Sequence, residues 1–356
     1  MRQILPFLAA ALGVGSYAGA DGPSPRYQLV SPKGEGIIAV ALNERGDLIG
    51  FEWVEETARP GVIEQKPFLA QGKTITYLPL LPGYTATFPA AMSDDRVVVG
   101  HSGRPAPPGV RLRLRNQAFL WDAKAGIRGL GTLPDDWASF ACGITRDGRC
   151  ISGYSVGDNR VRVCVWDREG DGWKASALPQ KLRLGSTTVP ISGNGRHVAA
   201  VDGSTPCLWS RNDAGQWTRE AIGAEGSLIP RAVNDAGTVV GVRFTHEGAS
   251  HAIVWSRAEG MKQLAEPRNF EHSEASAVNN LGAVVGMVDG PRGSNVTPRA
   301  FVYEQGRLRL LSEGGPFFTS ATAVNDHGQV AGVLENENEN EPAPRAPEPR
   351  KKDPAK

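Results

Sequence analysis

Short apolar runs rich in β-branched residues, broken by Gly, Asn and Asp, recur along the chain and read as strands. No stretch holds the 3.6-residue periodicity of an amphipathic helix. One string returns seven times: ALNERGDLIG from Ala41, AMSDDRVVVG from Ala91, GITRDGRCISG from Gly143, PISGNGRHVAA from Pro190, AVNDAGTVVG from Ala232, AVNNLGAVVG from Ala277 and AVNDHGQVAG from Ala323. Its turn position falls at Gly46, Arg96, Gly148, Gly195, Gly237, Gly282 and Gly328, at spacings of 50, 52, 47, 42, 45 and 46 residues. In Asn234-Asp235-Ala236-Gly237 the Asn side chain can cap a type I turn, and Gly can take the left-handed position that follows. The next residues, Thr238 to Gly241, read as a β-branched strand.

A further strand follows in most units and ends in an aromatic: Ala118 to Trp121, Val163 to Trp166, Pro206 to Trp209, Ala252 to Trp255 and Ala300 to Tyr303. Pro67 to Ala70 fills that slot in the first unit without the aromatic. A last strand, such as Gly126 to Leu133, completes the unit. Repeats of this period with several short strands each predict an all-β chain folded as a β-propeller. Seven blades are expected, most of them four-stranded and antiparallel, and six remain compatible with the spacing. Tyr27 to Ser31 looks like an orphan strand; starting the first blade there gives six four-stranded blades and one three-stranded blade.

These units resemble the HAF repeat, a bacterial extracellular repeat with an A-x-x-N-x-x-G-x-V-V-G string and a downstream A-F-x-W. The resemblance runs from about Ala41 to Leu334, is strong in the last three units, and is weak in the fourth, where Ser192-Gly193-Asn194-Gly195 replaces the usual turn. It implies an exported, propeller-like protein and no particular chemistry.

The ends carry different patterns. Arg2, an apolar run from Ile4 to Val14 and Ala18-Gly19-Ala20 read as a signal peptide over 1–20, cleaved after Ala20, with 21–26 as a linker. The propeller is expected over 27–335. Residues 336–356, rich in Glu, Asn, Pro and Lys, cannot bury enough apolar surface to order and read as a disordered tail. The expected location is therefore secreted or periplasmic, with no integral membrane segment in the mature chain.

Composition narrows the chemistry. Thirty-nine basic and 38 acidic residues leave a net charge of +1, which argues against a nucleic-acid partner. Four Cys lack zinc-ligand spacing, and no nucleophile elbow, phosphate loop or dinucleotide fingerprint occurs, so neither cofactor nor metal is expected. His246-Glu247 with His251 has the wrong spacing for a zinc helix, and the loop from Asp167 to Gly172 lacks the closing carboxylate of a calcium loop.

Strand alternation places the Asn-Gly turns and the turns after each Trp on one face of the ring, and the long connections on the other. Function tends to sit on long loops held by a rigid scaffold. On or near those loops Tyr84, Trp137, Phe270, Phe317 and Phe318 are candidate platform residues, with Asp135 and Asp136 beside Trp137; the alternative is that the rings plug the mouth as core. Arg111, Arg113 and Arg115 alternate with Leu, either to meet an acidic polymer or to protect a strand edge. Cys142 and Cys150 flank one hairpin and are candidates for a disulfide, provided a bulge shifts the ladder near Gly153.

The combined expectation is an exported, non-catalytic binding or scaffold propeller. Its partner would be an unidentified cell-surface or extracellular glycan or protein, held as a glycan- or peptide-class ligand on the long-loop face. The alternative is a glycoside-cleaving propeller with paired carboxylates in the central cleft.

Overall fold

The computed structural model describes residues 12–14, 28–30, 37–55, 63–103, 116–311 and 317–335, and among these there is no helix. β1 (Leu12–Val14) and β2 (Gln28–Val30) come first. β3 (Ile37–Leu42), β4 (Leu48–Glu55), β5 (Ile63–Gln71) and β6 (Thr74–Tyr77) form the first blade. β7 (Ala86–Met92), β8 (Val98–Gly103), β9 (Gln117–Asp122) and β10 (Gly126–Gly129) form the second. The third comprises β11 (Ala138–Ile144), β12 (Cys150–Gly157), β13 (Arg160–Glu169) and β14 (Gly172–Ala177). The fourth has three strands only, β15 (His197–Asp202), β16 (Thr205–Arg211) and β17 (Trp217–Ala221). The fifth comprises β18 (Ile229–Val233), β19 (Val239–Phe244), β20 (Ser250–Ser256) and β21 (Gly260–Gln263). β22 (His272–Val278), β23 (Val284–Asp289), β24 (Arg299–Glu304) and β25 (Arg307–Leu310) form the sixth. β26 (Phe317–Val324) and β27 (Val330–Glu335) make a last hairpin.

The propeller of antiparallel, mostly four-stranded blades is as expected, but seven like blades are corrected to six. The seventh hairpin has no third and fourth strand from its own repeat. It closes the ring instead through a sheet in the order β2-β1-β27-β26, with Leu12 opposite Ala331. Gln28–Val30, expected to start the first blade, pairs with β1 in that closing sheet.

Each part of the repeated string has a physical reason. The left-handed turn position is occupied as expected at Gly46, Arg96, Gly148, Gly195, Gly237, Gly282 and Gly328, all with φ between +64° and +85°. The Gly within the second strand answers to a bulge in the first. Ladder register slips at Val40, Ala90, Cys142, Arg231, Ser276 and Thr322, the same place in each unit. The slip drives a carbonyl toward the next strand, so a Cβ at Gly241 would collide with the carbonyl oxygen of Ile229. The fourth unit carries Ala200, fully buried, at this position. It tolerates the methyl because no first strand forms there; the segment meets the second strand through the single bridges Ile191 to Val198 and Leu184 to Asp202.

The Trp at the end of the third strand is core. Trp166 and Trp209 are fully buried, Trp121 and Trp255 nearly so. Cys164 and Cys207 share the buried slot of Phe119, Ile253 and Phe301.

Of the two alternatives for Cys142 and Cys150, a disulfide or two reduced thiols, the structure has the thiols, and the position of the bulge accounts for it. It lies at Cys142 itself, between the pairs Ala141–Gly153 and Gly143–Ser152, and not beside Gly153 in the second strand. Cys150 pairs with Asp167 on the next strand. Both are free thiols, and burial pushes the Cys142 thiol up to about 12 and that of Cys150 further. Unfolding the protein in iodoacetamide without a reductant should therefore label all 4 cysteines; two labels only would restore the disulfide.

Candidate functional site

The first strands surround the ring axis, each against the first strand of a neighbouring sheet. On the short-turn face their seven turns form a closed polar chain. Asn325, Asn279 and Asn234 each accept backbone N–H groups of their own turn at Oδ1. Their Nδ2 atoms donate onward: Asn234 to the Asn279 carbonyl at 3.0 Å, Asn279 to that of Asn325 at 2.9 Å, and Asn325 to that of Asn43 at 3.0 Å. A second circuit runs one residue later, with Asp235 N–H donating to Asn280 Oδ1, Asn280 N–H to Asp326 Oδ1, Asp326 N–H to the Glu44 carboxylate and Glu44 N–H to Asp94 Oδ1. Arg146 joins this ring, bonded to Asp326 at 3.0 Å and to Asp235. Burial, reinforced by Asp326 and Asp94, raises the Glu44 carboxyl above its ordinary value. One mouth of the ring is thus tied shut by the protein's own guanidinium.

The opposite, long-loop face opens between the third and fourth blades. A cavity of about 510 Å³ occupies the space that the missing first strand of the fourth blade leaves. Trp137, Phe140 and Tyr154 supply aromatic wall, Val156 and Val161 aliphatic wall, and the irregular segment from Arg183 to Thr187 the far side. A second lobe of about 480 Å³ shares Trp137, Val156 and Arg183 and ends on the Gly157–Asn159 turn. Backbone bonds fix the irregular segment, Leu184 N–H to the Val161 carbonyl at 3.0 Å and Gly185 N–H to that of Val201 at 2.8 Å; the Cys142 thiol donates to the Thr187 carbonyl at 3.6 Å, and just beyond it the Ser152 hydroxyl donates to that of Val189 at 2.6 Å.

An aromatic file leads to this cavity along the inner wall. Phe51, Phe88, His101, Phe140 and Tyr154 follow one another at centroid distances of 6.3, 5.0, 4.9 and 4.6 Å. Burial among these rings lowers His101 to about 4, so its imidazole is neutral at physiological pH and works as a stacked ring. The matching pairs of the fifth and sixth blades are Ile229–Val242 and Glu274–Met287, the latter with an ion pair from Arg231 to Glu274 at 2.6 Å.

Of the residues singled out in the sequence, Trp137 lines both lobes, and Asp135 and Asp136 stand beside it. Asp136 is not a ligand group. Its carboxylate is fully buried and takes Arg160 Nε at 2.7 Å and Arg162 Nη2 at 2.9 Å. Burial alone would raise it; hydrogen bonds from Arg160, Ser155 and Arg162 outweigh that and hold it below the ordinary value. Asp135 is the left-handed residue of the turn, at φ 63°, with its side chain in solvent.

The other candidates are dispersed. Tyr84 anchors its loop by donating to Gln117 Oε1 at 3.0 Å. Phe270 packs on the core cluster of the fifth and sixth blades, the plugging role that was its alternative. Phe317 begins β26, and its side chain, with Phe318, lies outside the described residues, as do Arg111, Arg113 and Arg115. Tyr154, Phe140 and Arg183 were missed, although the degenerate fourth unit marks their neighbourhood.

Because the folded carboxyl of Asp136 is depressed, its contribution to stability is present above the unfolded value near 3.9 and is lost as pH falls through the folded one. Asp136→Asn should cost about 2 kcal/mol at pH 7 and should weaken the acid limb of a melting-temperature profile. An unchanged profile would show that the two arginines do not depend on this charge.

A serine, a histidine and an acid also meet between the fifth and sixth blades. His251 Nδ1 lies 2.9 Å from Glu266 Oε1, and Ser273 Oγ donates to that same oxygen at 2.7 Å. In a catalytic triad the base touches the nucleophile; here the acid holds both. Ser273 Oγ also accepts the Ala252 N–H at 2.8 Å, as Ser139 Oγ accepts that of Ala118, so the cluster is the repeat's clamp between blades. No group of three His, Cys, Asp or Glu suited to a metal ion occurs among the described residues.

No protein-family model and no curated protein matches the chain. Solved structures do. The β-propeller domain of the Trilobed protease from Pyrococcus furiosus, described as having an open velcro topology, superposes with a TM-score of 0.55 at 8% identity, over 85% of this chain and 94% of that one. A puromycin hydrolase gives 0.53 at 12%, over 88% and 56%, and Pyrococcus horikoshii acylaminoacyl peptidase 0.50 at 9%, over 84% and 51%. The chain spans about half the length of those two enzymes. At such identities the likeness establishes the fold. It also corrects the expected glycan- or peptide-binding module and its glycoside-cleaving alternative: these neighbours are propellers of peptidases and hydrolases, and nothing among them supports a glycan ligand.

Proposed function

We propose that this chain is the propeller part of a two-part hydrolytic assembly, seated by its long-loop face on a catalytic unit carried by another chain. The observation that carries the reading is the asymmetry of the ring. One mouth is closed by Arg146 on Asp235 and Asp326, and the other face is recessed between the third and fourth blades. A unit docked over the recessed face would enclose a chamber whose other exit is tied shut. The propellers of peptidases and hydrolases that share the fold supply the class of partner. A photoreactive side chain at Asn159, on the long-loop side, should capture in cells a protein that hydrolyses peptides. The same side chain at Glu259, on the short-turn side, should capture none. Equal capture at both positions, or capture of carbohydrate alone, overturns the reading.

Export and the kinship with HAF repeats belong to the same proposal. The basic start, apolar run and Ala18-Gly19-Ala20 support processing before Asp21. Cleavage there would also remove β1, which pairs with β27. The intact mass of the exported protein should correspond to a start at Asp21; a mass that includes Met1 would keep β1 in the closing sheet and reject processing.

A further inference from the structure

We propose that the cavity between the third and fourth blades binds a small free carboxylic acid with an apolar, aryl-sized body. Three features converge there, independently of any docked catalytic unit. The first is shape and polarity: about 510 Å³ is within the range of small-molecule sites, and Trp137, Phe140, Tyr154, Val156 and Val161 make its wall mainly apolar. Such a wall takes a ring or short alkyl body.

The second feature is Tyr154. The residue is 8% exposed, yet its hydroxyl makes no hydrogen bond among the described residues. The hydroxyl is not one of the fully buried polar atoms left without a partner; it reaches the cavity, where an acceptor would take its hydrogen bond. Burial pushes this phenol up, so it keeps its proton at neutral pH and is available to donate.

The third feature is Arg183 at the shared lip of both lobes. Its backbone is fixed, since its carbonyl accepts the Gly203 N–H at 2.8 Å. Its guanidinium pairs with no carboxylate among the described residues. The contrast with its neighbours is informative: Arg160 and Arg162 are both committed to Asp136, and Arg211 to Asp167. One unpaired guanidinium and one unpaired phenol over an aromatic wall call for an acceptor-only anionic head on an apolar body, which is a carboxylate. The nearby acids do not interfere, because Asp136 is neutralised by its two arginines and Asp135 points into solvent.

The test uses 3-phenylpropanoate and its neutral amide on the full chain, followed by titration calorimetry and by tryptophan fluorescence. The acid should bind at least about tenfold more tightly than the amide, the factor expected for a charge-assisted pair. Arg183→Gln should abolish that preference while leaving the amide's weak binding in place. Tyr154→Phe, which keeps the aromatic wall, should weaken the acid by about fivefold with an unchanged melting temperature. Equal affinity for acid and amide would make the cavity an apolar hole and overturn the proposal, and so would acid binding that ignores Arg183→Gln. No saturable binding of the acid at millimolar concentration would overturn it as well. Because the chain is tested alone, none of these outcomes depends on whether it docks on a catalytic unit.

Discussion

Trp209→Ala is expected to lower stability by about 3–5 kcal/mol, enough to remove much of the margin of an ordinary domain. The indole is fully buried in the cluster that joins the third and fourth blades, against Val163, Val165, Val198 and Cys207. Its Nε1 donates to the Pro179 carbonyl at 2.6 Å, which pins the strand-free stretch that leads into the incomplete blade. Deletion therefore opens a void and frees an acceptor at once. Trp209→Phe and Trp166→Phe separate the two losses. Trp166 is equally buried, but its N–H finds no partner among the described residues, so phenylalanine removes an unsatisfied donor there. Trp209→Phe should cost about 1 kcal/mol more than Trp166→Phe in denaturant titration. Equal costs would show that the bond to Pro179 contributes nothing. Trp137→Ala, at the cavity wall, should move the melting temperature far less than Trp209→Ala does.

The architecture was legible because each repeated residue answers a local constraint. A left-handed turn needs Gly or an equivalent at Gly237, and a strand facing a bulged neighbour needs no Cβ at Gly241. Such constraints act within a few residues, so they recur in the string. The bulge itself was misplaced. Its cause lies in the first strand, at Cys142, while its mark in the string is the Gly of the second. The fate of the last unit was illegible for a different reason: β27 takes its partner from Leu12–Val14, more than three hundred residues earlier, where no repeat signals the pairing. The site shows the same division. Trp137 was visible as an aromatic on a connection. Arg183 and Tyr154 became relevant only when a strand failed to form in the fourth unit and left a gap beside the third. A missing strand is an absence of pattern, and the residues that line the gap belong to another repeat.

Asn325→Ala is expected to do more than its local chemistry predicts, and Asn234→Ala is the control. The two asparagines are equivalent in the repeat. Asn234 Oδ1 accepts from Ala236 and Thr238, and Asn325 Oδ1 from His327 and Gln329, so either substitution leaves two turn N–H groups without their acceptor. Each also frees a buried carbonyl in the next sheet, for a local cost of about 2–3 kcal/mol. The difference is where that carbonyl sits. Asn234 reaches Asn279, 45 positions on in the next blade, whereas Asn325 reaches Asn43, 282 positions back, across the seam between the closing hairpin and the first blade. Only two other hydrogen-bonding groups cross that seam among the described residues: Thr322 Oγ1 donates to the Ala39 carbonyl, and Asp326 N–H to the Glu44 carboxylate. In Asn234→Ala the flanking blades stay adjacent, because the chain passes directly from one to the next. In Asn325→Ala the turn that also positions Asp326 loosens, so two of the three seam contacts weaken together. Hydrogen exchange in Asn325→Ala should accelerate in β3, β26 and β27 and leave β11 to β14 protected. Exchange in Asn234→Ala should accelerate only in β18, β19, β22 and β23. Unfolding should broaden for Asn325→Ala alone, since an open ring lets its two ends melt before its middle. If both variants unfold with the same sharpness and the same spread of exchange, the seam is held by apolar packing between β3 and β26, and the asparagine chain is a set of independent turn caps.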